Sequence, residues 1–230
     1  MKNFLLFLFL TFSINCYCQD SLKISKAKAQ IFSLSPISKK VSAVNGFCLG
    51  VGHYPNKFFN KQTVNGLNLE ANPIGFLAPF ILLYASESKN PTEHYFDNRS
   101  NAAIKINGIN ISTGGFIEGA ELNGFNITTM SSMSKMNGVS FSGFLLISEN
   151  INGIAISGIE NYSKNMNGLS ISLLNKTFDL SGMQIGLYNS VDNKMIGVQI
   201  GLVNISNKTK GLQIGLINRN KKRTLPFINF

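Results

Sequence analysis

Any chemistry in this chain would have to be done with few groups. It holds two histidines, His53 and His94, three cysteines and eleven acidic residues. There is no His-x-x-His pair, and Cys48 is the only cysteine beyond residue 18, so a zinc site is not expected. Glycines are abundant, yet none opens a phosphate loop ending in Lys-Ser or Lys-Thr. Glu87, Glu93, His94 and Asp97 lie close together and could hold a cation or exchange protons, but the polar stretch around them reads as a hydrated loop. Glu118 and Glu121 read as surface charges between repeats. No catalytic, cofactor-binding or metal-binding residue is assigned. An enzyme site, if there were one, would fall within residues 44–101 and draw on His53 and His94.

The elements around these groups are dictated by composition. The chain has 230 residues, 44% hydrophobic and only 14% charged. Asn, Ser and Gly are plentiful, which disfavours helices and suits short strands joined by many turns. The net charge is +10, and no acidic residue follows Asp192, whereas Lys194, Lys208, Lys210, Arg219, Lys221, Lys222 and Arg223 do. Such a basic end could meet lipid head groups, envelope or surface polysaccharide, or a protein partner. A nucleic-acid role is not expected, because aromatics are not interleaved with these bases.

The start reads as a secretion signal over residues 1–18. Lys2 supplies the positive charge, Phe4 to Ile14 the apolar run, and Cys16-Tyr17-Cys18 the small residues before cleavage between Cys18 and Gln19. The run is too short to span a bilayer. A lipoprotein reading would acylate Cys16 or Cys18, but the residues before them fit a lipobox poorly. After cleavage Cys48 alone remains, so the exported chain folds without a disulfide, and Cys48 reads as a small core residue.

From Asn107 to Asn218 one phrase recurs, from Asn107-Gly-Ile-Asn-Ile-Ser to Lys210-Gly-Leu-Gln-Ile-Gly. Its glycines are Gly108, Gly124, Gly138, Gly153, Gly168, Gly182, Gly197 and Gly211, spaced about every 15 residues, which signals a repeat architecture. With the glycine as position 0, positions +1 and +3 are always large and apolar, while +2 and +4 are small or polar. That alternation makes one short strand per copy with one buried face. Its expected core column is Ile111, Ile127, Phe141, Ile156, Ile171, Ile185, Ile200 and Ile214. The polar face, such as Asn110 with Ser112 and Ser170 with Ser172, would then look outward and could meet glycan. The alternation slips at −2 and +6, so the chain must turn near 0 and again near +4 to +5. Asn-Gly would ordinarily suggest a hairpin, but Ile196 replaces the Asn in one copy and resists positive φ, so only the Gly marks a corner.

Eight straight residues would run roughly 26 Å, too far for the remaining six or seven to return. The fold class expected is therefore all-β, a β-solenoid of 14–15 residues per coil with an irregular N-terminal cap. The alternative is an outer-membrane antiparallel β-barrel, one strand per copy. Along the chain follow a mobile segment at 19–43 with a strand near Ala29–Leu34, an irregular β region and cap at 44–106 with a polar loop at 85–101, the regular array at 107–218 and a cap strand at 219–230. In the array, Asn175, Asn189, Asn204 and Asn218 would form a ladder; in the tail, Leu225, Phe227 and Ile228 would anchor the last coil.

The last three copies, reading Gly-x-Gln-Ile-Gly-Leu-x-Asn from Gly182, Gly197 and Gly211, resemble exported bacterial surface-repeat proteins. The likeness is specific over residues 165–230 and weaker over 44–164. It implies export to the cell surface, outer membrane or periplasm of a Gram-negative bacterium, and carries over no activity or ligand. The expectation is a non-enzymatic scaffold or binding protein, with a channel or structural outer-membrane protein as the alternative.

Overall fold

The structure, a computed structural model, describes residues 28–53, 61–72, 104–114 and 119–230. The leader with its Cys18–Gln19 junction, the apolar stretch Ile74 to Tyr84, the loop at 85–101 with His94, and Glu118 lie outside the described residues. Ten strands run in chain order: β1 (Lys28–Ser35), β2 (Val41–Gly50), β3 (Gln62–Glu70), β4 (Ile104–Ser112), β5 (Glu121–Ser157), β6 (Glu160–Ile171), β7 (Leu174–Ile185), β8 (Tyr188–Ile200), β9 (Val203–Arg219) and β10 (Thr224–Asn229).

Each strand pairs with the next, and among the described residues the pairings from β1 to β9 are parallel. The chain is a β-solenoid of about ten turns. The barrel alternative fails, because its neighbouring strands would have to run antiparallel and its sheet would have to close on itself, whereas here like stacks on like. Gly168 lies beside Gly153 and Gly182, and Gly197 beside Gly182 and Gly211. β5 alone carries three phrase glycines, Gly124, Gly138 and Gly153.

The corners fall where the alternation slips. The phrase glycines all have positive φ, 136° at Gly197 for example. A Cβ on Gly197 would stand 1.8 Å from the carbonyl oxygen of Gly182, one coil earlier. Only a residue without a side chain lets successive coils close up at that corner. The second corner lies at Ser172–Leu173, Gly186–Leu187 and Gly201–Leu202, and it is held by bonds such as Leu187 N–H to Leu173 C=O at 2.9 Å.

The expected core column is in register but faces the wrong way. Ile156, Ile171, Ile185, Ile200 and Ile214 stack one above another, yet Ile111, Ile127, Phe141, Ile200 and Ile214 are 36–43% exposed and the other three half-buried. The lumen instead holds positions +2 and +4: Asn110, Asn126, Ser140, Gln184, Gln199 and Gln213 at +2, with Ser112, Thr128 and Ser172 at +4. The polar face expected to look outward is therefore interior, and it cannot meet glycan. Period two says which residues share a face; it does not say which face is inside. A coil this short leaves a lumen about one sheet-packing distance across, about 10 Å, with no room for two bulky aliphatics per layer on top of those it already holds. Its longest apolar row is at −2: Val44, Val64, Ile106, Leu122, Met136, Ile151, Met166, Leu180 and Met195, all essentially buried, with Val41, Cys48, Ile104, Met133, Leu146 and Val191 packed beside it.

Most amides of the polar lumen are satisfied from layer to layer, although the buried hydroxyls of Ser142 and Ser157 have no partner. Asn68 donates to Asn110 and Asn110 to Asn126, both at 2.7 Å. Asn175 donates to Asn189, Asn189 to Asn204 and Asn204 to Asn218, at 2.8–2.9 Å. Gln213 donates to Gln199 and Gln199 to Gln184, at 2.8 and 2.9 Å. Each such bond contributes about 1 kcal/mol net, but a buried amide left without one costs about 1–3 kcal/mol. The ladders thus fix register more firmly than aliphatic contact would.

Both ends carry the expected strands, but the last coil is closed differently. Residues 28–35 form a strand parallel to β2, where a strand near Ala29–Leu34 was expected, so this part of the N-terminal segment belongs to the coil. At the other end β10 turns back antiparallel onto β9. Its anchor is not apolar: Phe227 and Ile228 are exposed, while Asn229 is fully buried and donates to Gln213 at 2.9 Å. Asn229 continues the glutamine ladder by one rung.

Candidate functional site

Two features stand out, one inside the lumen and one outside. The inner one lies at the N-terminal end. Glu70 occupies position +4 of the β3 coil and points inward. His53, just after β2, places Nε2 2.7 Å from Glu70 Oε1 and 3.2 Å from Asn68 Oδ1. Asn68 donates to the same Glu70 oxygen at 2.9 Å, and Ser112 to the other at 3.2 Å. Burial pushes the Glu70 carboxyl up. The hydrogen bonds from His53, Asn68 and Ser112, with the charge His53 carries when protonated, outweigh this and leave it below its ordinary value.

Cys48 is fully buried, and burial with the nearby Glu70 charge pushes its thiol up to about 11. The thiolate is the nucleophile, so Cys48 is inert at neutral pH. The group is a buried, hydrogen-bonded carboxyl–imidazole pair with its neighbours. Among the described residues no group of three or more His, Cys, Asp or Glu could hold a metal ion. Sequence reading singled out His53 and passed over Glu70 and Asn68, whose inward direction follows only from the coil.

A pH prediction follows. Glu70 has a lowered folded pKa, so its stabilisation is complete above the ordinary carboxylate range and is lost as pH falls below that range, through the folded value. Amide exchange in β2 to β4 should accelerate as pH falls through that window, after correction for intrinsic rates. Glu70→Gln should abolish the step; an unchanged step in that variant would clear Glu70 of the role. A second prediction concerns Cys48: a thiol reagent should label it only as fast as the chain opens, and rapid labelling of the native chain would contradict its burial.

The outer feature is much larger. Positions +1 and +3 from β2 to β9, from Phe47 and Leu49 to Leu212 and Ile214, face outward without a polar interruption. Beside them runs a corner row, Phe144, Ile159, Leu173, Leu187, Leu202 and Leu216, 41–59% exposed. Ten coils at about 4.8 Å each make a face about 45 Å long. Over the last coils the isoleucine and leucine rows part into a furrow of about 860 Å³, floored by Gly186, Gly201 and Gly215 and stopped by Phe227 and Ile228. β1 extends the face at the other end, where Phe32 stacks on Phe47 with ring centres 5.8 Å apart. The adjoining outward face is polar. Asn65, Asn107, Asn123, Asn137, Asn152 and Asn167 form an outer ladder at −1. In the last coils that face turns basic, with Lys194, Lys208 and Lys210 exposed.

Comparison with family models, curated proteins and solved structures finds no match to this chain.

Proposed function

We propose that this chain is an exported, non-enzymatic scaffold or binding protein of the bacterial cell envelope, acting through the outside of its solenoid. One observation carries the reading: the interior side chains bond mainly to one another from layer to layer, while a continuous apolar face is turned outward. A folded monomer rarely leaves so large an apolar patch without a partner for it. The leader-like start supports export, and the Gly-x-Gln-Ile-Gly repeats support an envelope setting. Fractionation of cells expressing the full chain tests this. The protein should leave the cytosol and collect in the envelope or medium, with a mature N-terminus at Gln19. An uncleaved chain retained in the cytosol would overturn the reading.

A further inference from the structure

We propose that the outward apolar face is a docking surface for an anionic phospholipid bilayer, on which the solenoid lies with its axis in the membrane plane. The inference deepens the scaffold reading by naming the partner. Three observations point to lipid. The face is aliphatic throughout its +1, +3 and corner rows, with Phe47, Phe125, Phe141 and Phe144 in the earlier coils and none of the Tyr, Trp or Arg that anchor protein interfaces. Its backbone groups are bonded coil to coil, so strands can rest against hydrocarbon without leaving a row of unsatisfied amides. Its border is net basic where the furrow lies: Lys194, Lys208 and Lys210 outnumber Asp179 and Asp192 on the adjoining side, with Arg219 and Lys221 to Arg223 just beyond. Basic groups beside an apolar face suit a negatively charged membrane surface. They oppose a second copy, whose own basic border would have to meet them.

The corner row lets the idea be tested without breaking the coil. Leu187, Leu202 and Leu216 are 49–59% exposed, so threonine there removes little packing from the coil. The full chain is sedimented with vesicles of phosphatidylcholine mixed with phosphatidylglycerol, and with vesicles of phosphatidylcholine alone. It should partition preferentially to the anionic vesicles. Leu187→Thr, Leu202→Thr and Leu216→Thr together should lower partitioning by at least about tenfold, with an unchanged circular dichroism spectrum. Lys208→Gln and Lys210→Gln should each lower it about fivefold, on anionic vesicles alone.

Failure to bind either vesicle, or binding indifferent to the leucine changes, overturns the proposal. So does a dimer in sedimentation equilibrium that the leucine changes dissolve, since a second copy then covers the face. An exported chain that ignores vesicles removes only this inference. A cytosolic chain that binds them removes only the envelope reading.

Discussion

Gly197→Ala should destabilise the array by about 3 kcal/mol or more, enough to unfold a large part of a domain of ordinary stability. Two effects add. The backbone there has φ 136°, a conformation side chains resist. The new methyl would also stand 1.8 Å from the Gly182 carbonyl oxygen, and backbone on both sides is locked by its neighbours. Gly143 supplies the control. It sits in the same sheet, but a Cβ there meets nothing closer than 3.5 Å, at Thr129. Gly143→Ala should therefore change stability by no more than about 0.5 kcal/mol. Urea unfolding followed by circular dichroism separates the two. Equal midpoints would mean that the glycine column is not stacked as described.

Asn189→Ala should cost about 3 kcal/mol, although it removes only a small polar side chain. Asn189 donates to Asn204 at 2.8 Å and to the Ile200 carbonyl at 3.0 Å, and accepts from Asn175 at 2.9 Å. All three bonds vanish, and the Asn204 oxygen loses its ladder donor inside a closed lumen. Asn167→Ala removes a bond of the same chemistry, to Asn152 at 3.0 Å, from the exposed ladder. It should cost no more than about 0.5 kcal/mol, because water replaces the partner and Ser181, Ile196 and Lys210 already occupy that row. The contrast isolates burial as the cause. A small effect at Asn189 would mean that water reaches the lumen freely.

Much of the architecture was legible in the glycine period. The period gave parallel stacking and coils of 14–15 residues, and the slips at −2 and +6 marked the corners. The asparagine ladder at Asn175, Asn189, Asn204 and Asn218 was legible too. What misled was the rule that apolar residues go inside. It fails here because in-register amides solve the burial problem for one another, a solution invisible in any single copy. A subtler signal did carry the right answer. Gln184, Gln199 and Gln213 are each followed two residues later by Gly186, Gly201 and Gly215, whereas Asn110, Asn126 and Ser170 are followed by Ser112, Thr128 and Ser172. In the last three coils the largest polar side chain is thus always beside no side chain at all, a pairing that suits an enclosed space. Asn229 as the last rung was hidden because its role depends on β10 reversing direction. The Glu70–His53 pair was hidden for a similar reason: it joins two copies of the phrase that are irregularly spaced.

The ladders have one more consequence. Each rung recognises the rung above and the rung below, and nothing in the interior counts how many there are. Gaining or losing one fifteen-residue unit among Gly182, Gly197 and Gly211 would lengthen or shorten the rod by about 4.8 Å and leave every remaining layer matched. The same exchange across the change from serine-type to glutamine-type layers, between Ser170 and Gln184, would mismatch the lumen. The molecule is thus a gauge whose length can drift in evolution by whole units, but only within a run of layers of one type.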